Sequence, residues 1–127
     1  MVRKYEAEEL AAIEEAKNYL SGYRVCRDLL GLQRYERKRS AAELLNTDAE
    51  LLSGDEMLWR SRMYAISALL GNLKNGREKL MLYYYFLKGE SVERIAVRLG
   101  VSRRTGFRIF QKGLLMAAEF RRQEKTL

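Results

Sequence analysis

The sequence predicts an all-α protein, and three observations carry that expectation. None of the 127 residues is proline, the residue that most strongly interrupts a helix. Ala, Leu, Glu, Lys and Arg, the better helix formers, are abundant. Apolar residues recur at steps of three and four, the period of one helix face, where a strand would alternate. The expected layout is a long N-terminal helical segment and linker over residues 1–52, then a unit of shorter helices over 53–127.

Composition narrows the function classes. The chain has one cysteine, Cys26, and no histidine. Zinc sites of the Cys/His kind, Ser-His-Asp and Cys-His triads and histidine acid–base chemistry are thereby excluded. No Asp/Glu pair stands in a setting that argues for carboxylate catalysis, so the expectation is a non-enzyme without metal or cofactor. No apolar run reaches the ~18 residues of a membrane span. The N-terminus, Met1-Val2-Arg3-Lys4-Tyr5-Glu6, turns acidic without the apolar stretch of a secretory signal, and a cytoplasmic protein is expected. Charge is unevenly distributed. Residues 1–74 hold twelve basic and twelve acidic side chains, and residues 75–127 hold twelve basic and five acidic ones. The whole net charge of +7 thus belongs to the C-terminal part, as in a polyanion-binding module joined to a neutral partner segment.

Along the chain, a helix is expected from about Glu6 to Leu30, with Leu10, Ile13, Ala16, Leu20, Tyr23 and Leu30 in one stripe that Arg27 interrupts. Gly22 inside it weakens the helix by about 1 kcal/mol relative to alanine, and Gly31 either ends it or weakens it further. The stripe has two readings, packing on its own chain or pairing two chains in a homodimer. Arg37-Lys38-Arg39-Ser40 and Asn46-Thr47-Asp48 lack periodicity and read as linker, although Leu44, Leu45, Leu51 and Leu52 imply packing. Ser53 and Glu56 form a capping box for a helix running to about Leu73, with Met63, Ile66, Leu70 and Leu73 on one face. Asn75 and Glu78 repeat that logic for a helix to about Leu87. Its run of large residues, Leu80 to Leu87, reads as core, with Leu82 and Phe86 an i,i+4 pair. Gly89 suits a left-handed C-cap. Ser91 caps a short helix, Val92 to Leu99, and Gly100-Val101 turns. Ser102 caps a last helix running towards Arg122.

Residues 75–118 therefore read as a helix-turn-helix DNA-binding unit. Two short helices that cross steeply need a small residue at the crossing, which Ala96 supplies, and a turn residue tolerant of positive φ, which Gly100 supplies. Ile95, Leu99, Val101 and Ile109 fall where the helices share a core. The N-terminus of the second helix, at Ser102, suits phosphate. Arg103, Arg104, Arg108, Gln111 and Lys112 lie on its outer side. Arginine can form paired bonds to guanine and glutamine to adenine. The plainer reading is a helical hairpin with a solvated basic face.

Residues 66–116 resemble the C-terminal, promoter-reading region 4 of the sigma-70 family. The resemblance rests on Ile66, Leu69, Leu73, Arg77-Glu78, Leu82 and Phe86-Leu87-Lys88-Gly89-Glu90-Ser91. It continues through Ile95-Ala96, Leu99-Gly100-Val101-Ser102-Arg103-Arg104-Thr105, Arg108-Ile109 and Leu114. The N-terminal helix with Tyr19-Leu20 and Tyr23 is similar to small phage late-gene regulators of the RinA/ArpU type. The resemblance implies that the helix starting at Ser102 reads the major groove. Bases would be contacted from Arg103, Arg104, Arg108 and Gln111, and backbone from Lys112. Ser102, Thr105 and Phe107 complete the expected DNA-binding set. Three positions depart from the family. Lys74 replaces a proline, and Gly106 stands where the family has Val or Ile, which predicts a gap in the core. Phe107 either fills that gap or faces the groove, where it could touch a thymine methyl.

The expected function is a sequence-specific transcription regulator of a phage or prophage. Double-stranded DNA is its expected ligand, and RNA polymerase or a second copy the expected partner of the N-terminal helices. The alternatives are a small terminase-like packaging subunit, which usually carries its DNA unit at the N-terminus, and a module that grips another protein.

Overall fold

The computed structural model describes residues 5–44 and 54–126. They form five helices: α1 (Ala7–Leu44), α2 (Gly54–Gly71), α3 (Arg77–Leu82), α4 (Val92–Leu99) and α5 (Arg103–Thr126). A π-helical turn, Tyr83–Leu87, continues α3. No strand occurs among the described residues, and the fold is all-α.

The first helix is longer than its sequence suggests. It has 38 residues, about 57 Å at the usual rise. It passes through Gly31 without a break, so Arg37-Lys38-Arg39-Ser40 is helix and not linker. Gly31 faces open space, which makes it a weak point but imposes no stop. The residues after it, Leu32 to Glu43, are mostly good helix formers. Arg37 is moreover tied to α2 through an ion pair with Glu56. Asn46-Thr47-Asp48, Leu45, Leu51, Leu52 and the expected cap at Ser53 lie outside the described residues.

Glu56 is only 1% exposed. Its carboxylate accepts hydrogen bonds from Arg37 and, at 3.4 Å, from Arg60. The Arg37 hydrogen bond lowers the Glu56 pKa most, and the Arg37 and Arg60 charges and the Arg60 hydrogen bond add to it. Burial pulls the other way but does not win.

One apolar cluster joins the helices. Ile13, Ala16 and Leu20 of α1 meet Ile66 and Leu70 of α2, Met81 and Leu82 of α3, Ile95 of α4 and Leu114 of α5. The stripe on α1 therefore packs on its own chain. Ile13, Ala16, Leu20 and Leu30 are buried and Tyr23 packs on the cluster, while Leu10 is half exposed. The chain's own core thus occupies Ile13, Ala16 and Leu20 of the stripe. The cluster also runs across the position between residues 52 and 53.

Entry to α3 differs from the expected cap. Gly76, in extended backbone at φ 167°, precedes the helix without a side-chain cap. Asn75 Oδ1 instead accepts from Lys79 Nζ at 3.1 Å, and the same ammonium donates to the Gly71 carbonyl at 2.9 Å. Lys79 thus satisfies the end of α2, and Glu78 is free to face α5. The aromatic run after α3 packs as core. Phe86 is buried, and Tyr85 and Phe86 both lie against Phe110 of α5, at centroid distances of 4.6 and 5.9 Å. The Lys88 N–H reaches the Tyr83 carbonyl at 3.3 Å, the wider bond of a π turn.

Candidate nucleic-acid interface

The candidate interface is built by local caps. Ser91 Oγ accepts from the Arg94 N–H at 3.2 Å and starts α4. Gly89 and Gly100 take φ of 77° and 72°, the left-handed region that disfavours a side chain. At Gly100 this geometry lets the Val101 N–H close on the Ala96 carbonyl at 3.0 Å and the Gly100 N–H on that of Val97 at 3.1 Å. Two otherwise orphaned carbonyls at the end of α4 are thereby satisfied. Ser102 Oγ accepts from the Thr105 N–H at 3.1 Å and donates to Thr105 Oγ1 at 3.0 Å. Ser102 and Thr105 are thus first of all the cap of α5.

Two glycines then set the rotation of α5. Gly106 is buried, and a Cβ there would stand 2.8 Å from the Ala96 Cβ and 3.6 Å from Val92 Cγ1. The gap predicted at Gly106 does not exist, because α4 rests directly against the α5 backbone. Phe107 accordingly does not fill it and is itself 39% exposed. Seven residues on, a Cβ at Gly113 would lie 3.1 Å from Leu82 Cγ and 3.2 Å from the Glu78 carbonyl. Gly106 and Gly113 therefore seat α4 and α3 on one side of α5. Ile109, Phe110, Leu114 and Ala117 fill the rest of that side.

The opposite side of α5 is polar. Arg104, Arg108 and Gln111 are exposed and make no hydrogen bond or ion pair with the described residues. At ~100° per residue they fall in one row. The flanks carry paired cations. Arg103 Nε lies 3.3 Å from Glu93 Oε1, with its guanidinium 5.7 Å from the centre of the Phe107 ring. Lys112 Nζ lies 3.4 Å from Glu78 Oε1. Of the expected set, then, Arg104, Arg108 and Gln111 share an unpaired row, Arg103 and Phe107 form one flank, and Lys112 forms the other.

Sequence reasoning missed Glu93 and Glu78, which hold the flanking cations. No local signal marks them, since each pair joins residues on different helices. Both cations are mostly exposed, and exposed pairs contribute only about 0–1 kcal/mol, so neither carboxylate holds its cation firmly. In the loop before α4, Glu90 Oε1 pairs with Arg94 and Arg98, and its Oε2 is buried without a hydrogen-bond partner. Among the described residues no acidic or cysteine cluster could hold a metal ion. No helix there is long and apolar enough to cross a membrane. Comparison with protein-family models, with curated proteins and with solved structures finds no match for this chain.

Proposed function

We propose that the protein binds double-stranded DNA sequence-specifically and regulates transcription, with α4 and α5 as a helix-turn-helix unit. In this reading α5 enters the major groove and α4 crosses the backbone. The observation that carries it is the row of Arg104, Arg108 and Gln111, exposed and unpaired on the face opposite the two seating glycines. Three long polar side chains in line suit base edges, because arginine pairs with guanine and glutamine with adenine. The concentration of positive charge beyond residue 74 supports a polyanionic ligand, and the resemblance to sigma-70 region 4 supports a promoter. A phage or prophage regulator fits the similarity of the N-terminal helix.

The test is selection of bound fragments from a random duplex pool, then titration of the selected and a scrambled duplex. Arg104→Ala or Arg108→Ala is expected to weaken the selected duplex by about 1–3 kcal/mol and the scrambled one little. Equal losses on both would mean that these arginines only grip phosphate, and sequence-specific reading would fall.

A further inference from the structure

A partly buried cation from α1 reaches the loop that precedes α4. The Arg24 guanidinium lies against Gly89, so closely that a methyl group there would collide with its Nη2. Gly89 can accept this neighbour because it has no side chain and its φ is 77°. Arg24 makes no ion pair or hydrogen bond with the described residues. Beside Gly89 in sequence, Lys88 is exposed, its ammonium 5.7 Å from the centre of the Tyr83 ring and without an acidic partner among the described residues. Of the nearby carboxylates, Glu93 pairs with Arg103 and Glu90 Oε1 with Arg94 and Arg98, while Glu90 Oε2 is buried and accepts no hydrogen bond and lies beyond ion-pair distance of Arg24. Arg24 of α1 and Lys88 thus meet at the 88–90 loop without an ion-pair partner among the described residues, Arg24 partly shielded from water, where an unpaired charge is more costly than at a fully exposed site.

We propose that Arg24, with Lys88, forms a DNA-phosphate contact supplied from outside the helix-turn-helix unit. The inference rests on the DNA-binding reading above. In that reading α4 crosses the backbone, and the loop leading into it lies over the phosphates at one edge of the groove. A phosphate there would give Arg24 the counter-ion that the described residues do not. The contact also gives α1 a part in binding, because the helix would brace α4 and α5 and carry one of their backbone contacts.

The experiment measures affinity of the full chain for the selected and scrambled duplexes at several salt concentrations. Wild type, Arg24→Gln, Arg24→Lys, Lys88→Gln and Arg104→Ala are compared. Arg24→Gln is expected to weaken both duplexes alike and to lower the slope of log affinity against log salt by about 0.9. Its affinity would then change roughly threefold less than that of wild type between 50 and 200 mM salt. Arg24→Lys should keep the wild-type slope, and Lys88→Gln, on an exposed side chain, should repeat the loss. An unchanged slope in both glutamine variants, with only a shifted melting temperature for Arg24→Gln, would make Arg24 an internal brace and overturn the proposal. Should that happen while Arg104→Ala still loses the selected duplex, the DNA reading stands and this inference alone fails. A wild-type chain that binds neither duplex defeats both.

Discussion

Gly22 and Gly106 both sit inside helices, yet a methyl group added to each meets opposite surroundings. At Gly22 the new Cβ would lie 3.8 Å from Arg62 Cδ and Ile66 Cδ1, an ordinary contact. Gly22→Ala should therefore stabilise the chain by about 1 kcal/mol, the helix-propensity gain, read from chemical denaturation. At Gly106 the added Cβ would stand 2.8 Å from the Ala96 Cβ, so close that α4 or α5 must shift. Gly106→Val should destabilise by about 1–3 kcal/mol, the range for overpacked cores, although helix propensity alone gives the opposite sign. Ala96→Gly combined with Gly106→Val should recover part of the loss, a coupling expected only of residues in contact. A Gly106→Val chain as stable as wild type would mean that α4 and α5 can part without penalty. Residue-scale features of this kind were legible only where their cause is local. Ser91, Gly100 and Ser102 act on atoms within five residues of themselves, so pattern was enough to find them. Gly106 is explained by a neighbour ten positions away, and propensity has no access to that.

On the scale of elements, the C-terminal part of α1 depends on its partner more than on its own sequence. Beyond Leu30 no described apolar side chain of α1 is buried, and at Arg37 the helix meets the buried Glu56 of α2. This is why Gly31 and the basic triplet looked like an ending: the residue that continues the structure stands on another helix. The Glu56 pKa is lowered in the folded chain, which fixes a sign for the pH dependence. The stabilisation from the pair is present above the ordinary carboxylate pKa of an unfolded chain and is lost as pH falls through the lower, folded value. Glu56→Gln removes the titrating group. Wild type should melt above the variant near neutral pH, and the gap should narrow as the solution is acidified below the usual carboxylate range. A gap that stays constant through that range would mean that Glu56 contributes by packing alone.

At the level of the whole molecule, the N-terminal helix and the proposed DNA-binding helices share one core. Leu20, fully buried on α1, belongs to the same cluster as Ile95 of α4 and Leu114 of α5. Composition and charge divide the chain into a neutral and a basic part, and that division was legible in the sequence. Charge lies on surfaces, however, whereas cooperativity follows buried contacts, and here the two do not coincide. The apolar stripe on α1 was legible too, but its period is the same whether the surface it meets belongs to its own chain or to another. A shared core makes a specific demand on Leu20→Ala. Truncating a buried leucine costs about 2–5 kcal/mol, and in a single cooperative unit that loss appears everywhere at once. Amide exchange resolved by residue should therefore quicken in α4 as much as in α1. The Ile95 N–H, which donates to the Ser91 carbonyl at 3.0 Å, is a convenient reporter. Its melting temperature should fall by an amount independent of protein concentration, because the stripe packs within one chain. If Leu20→Ala loosened α1 while Ile95 kept its wild-type protection, the chain would be two units meeting near residue 52, and the helices from α2 onward would hold α4 and α5 in place without α1.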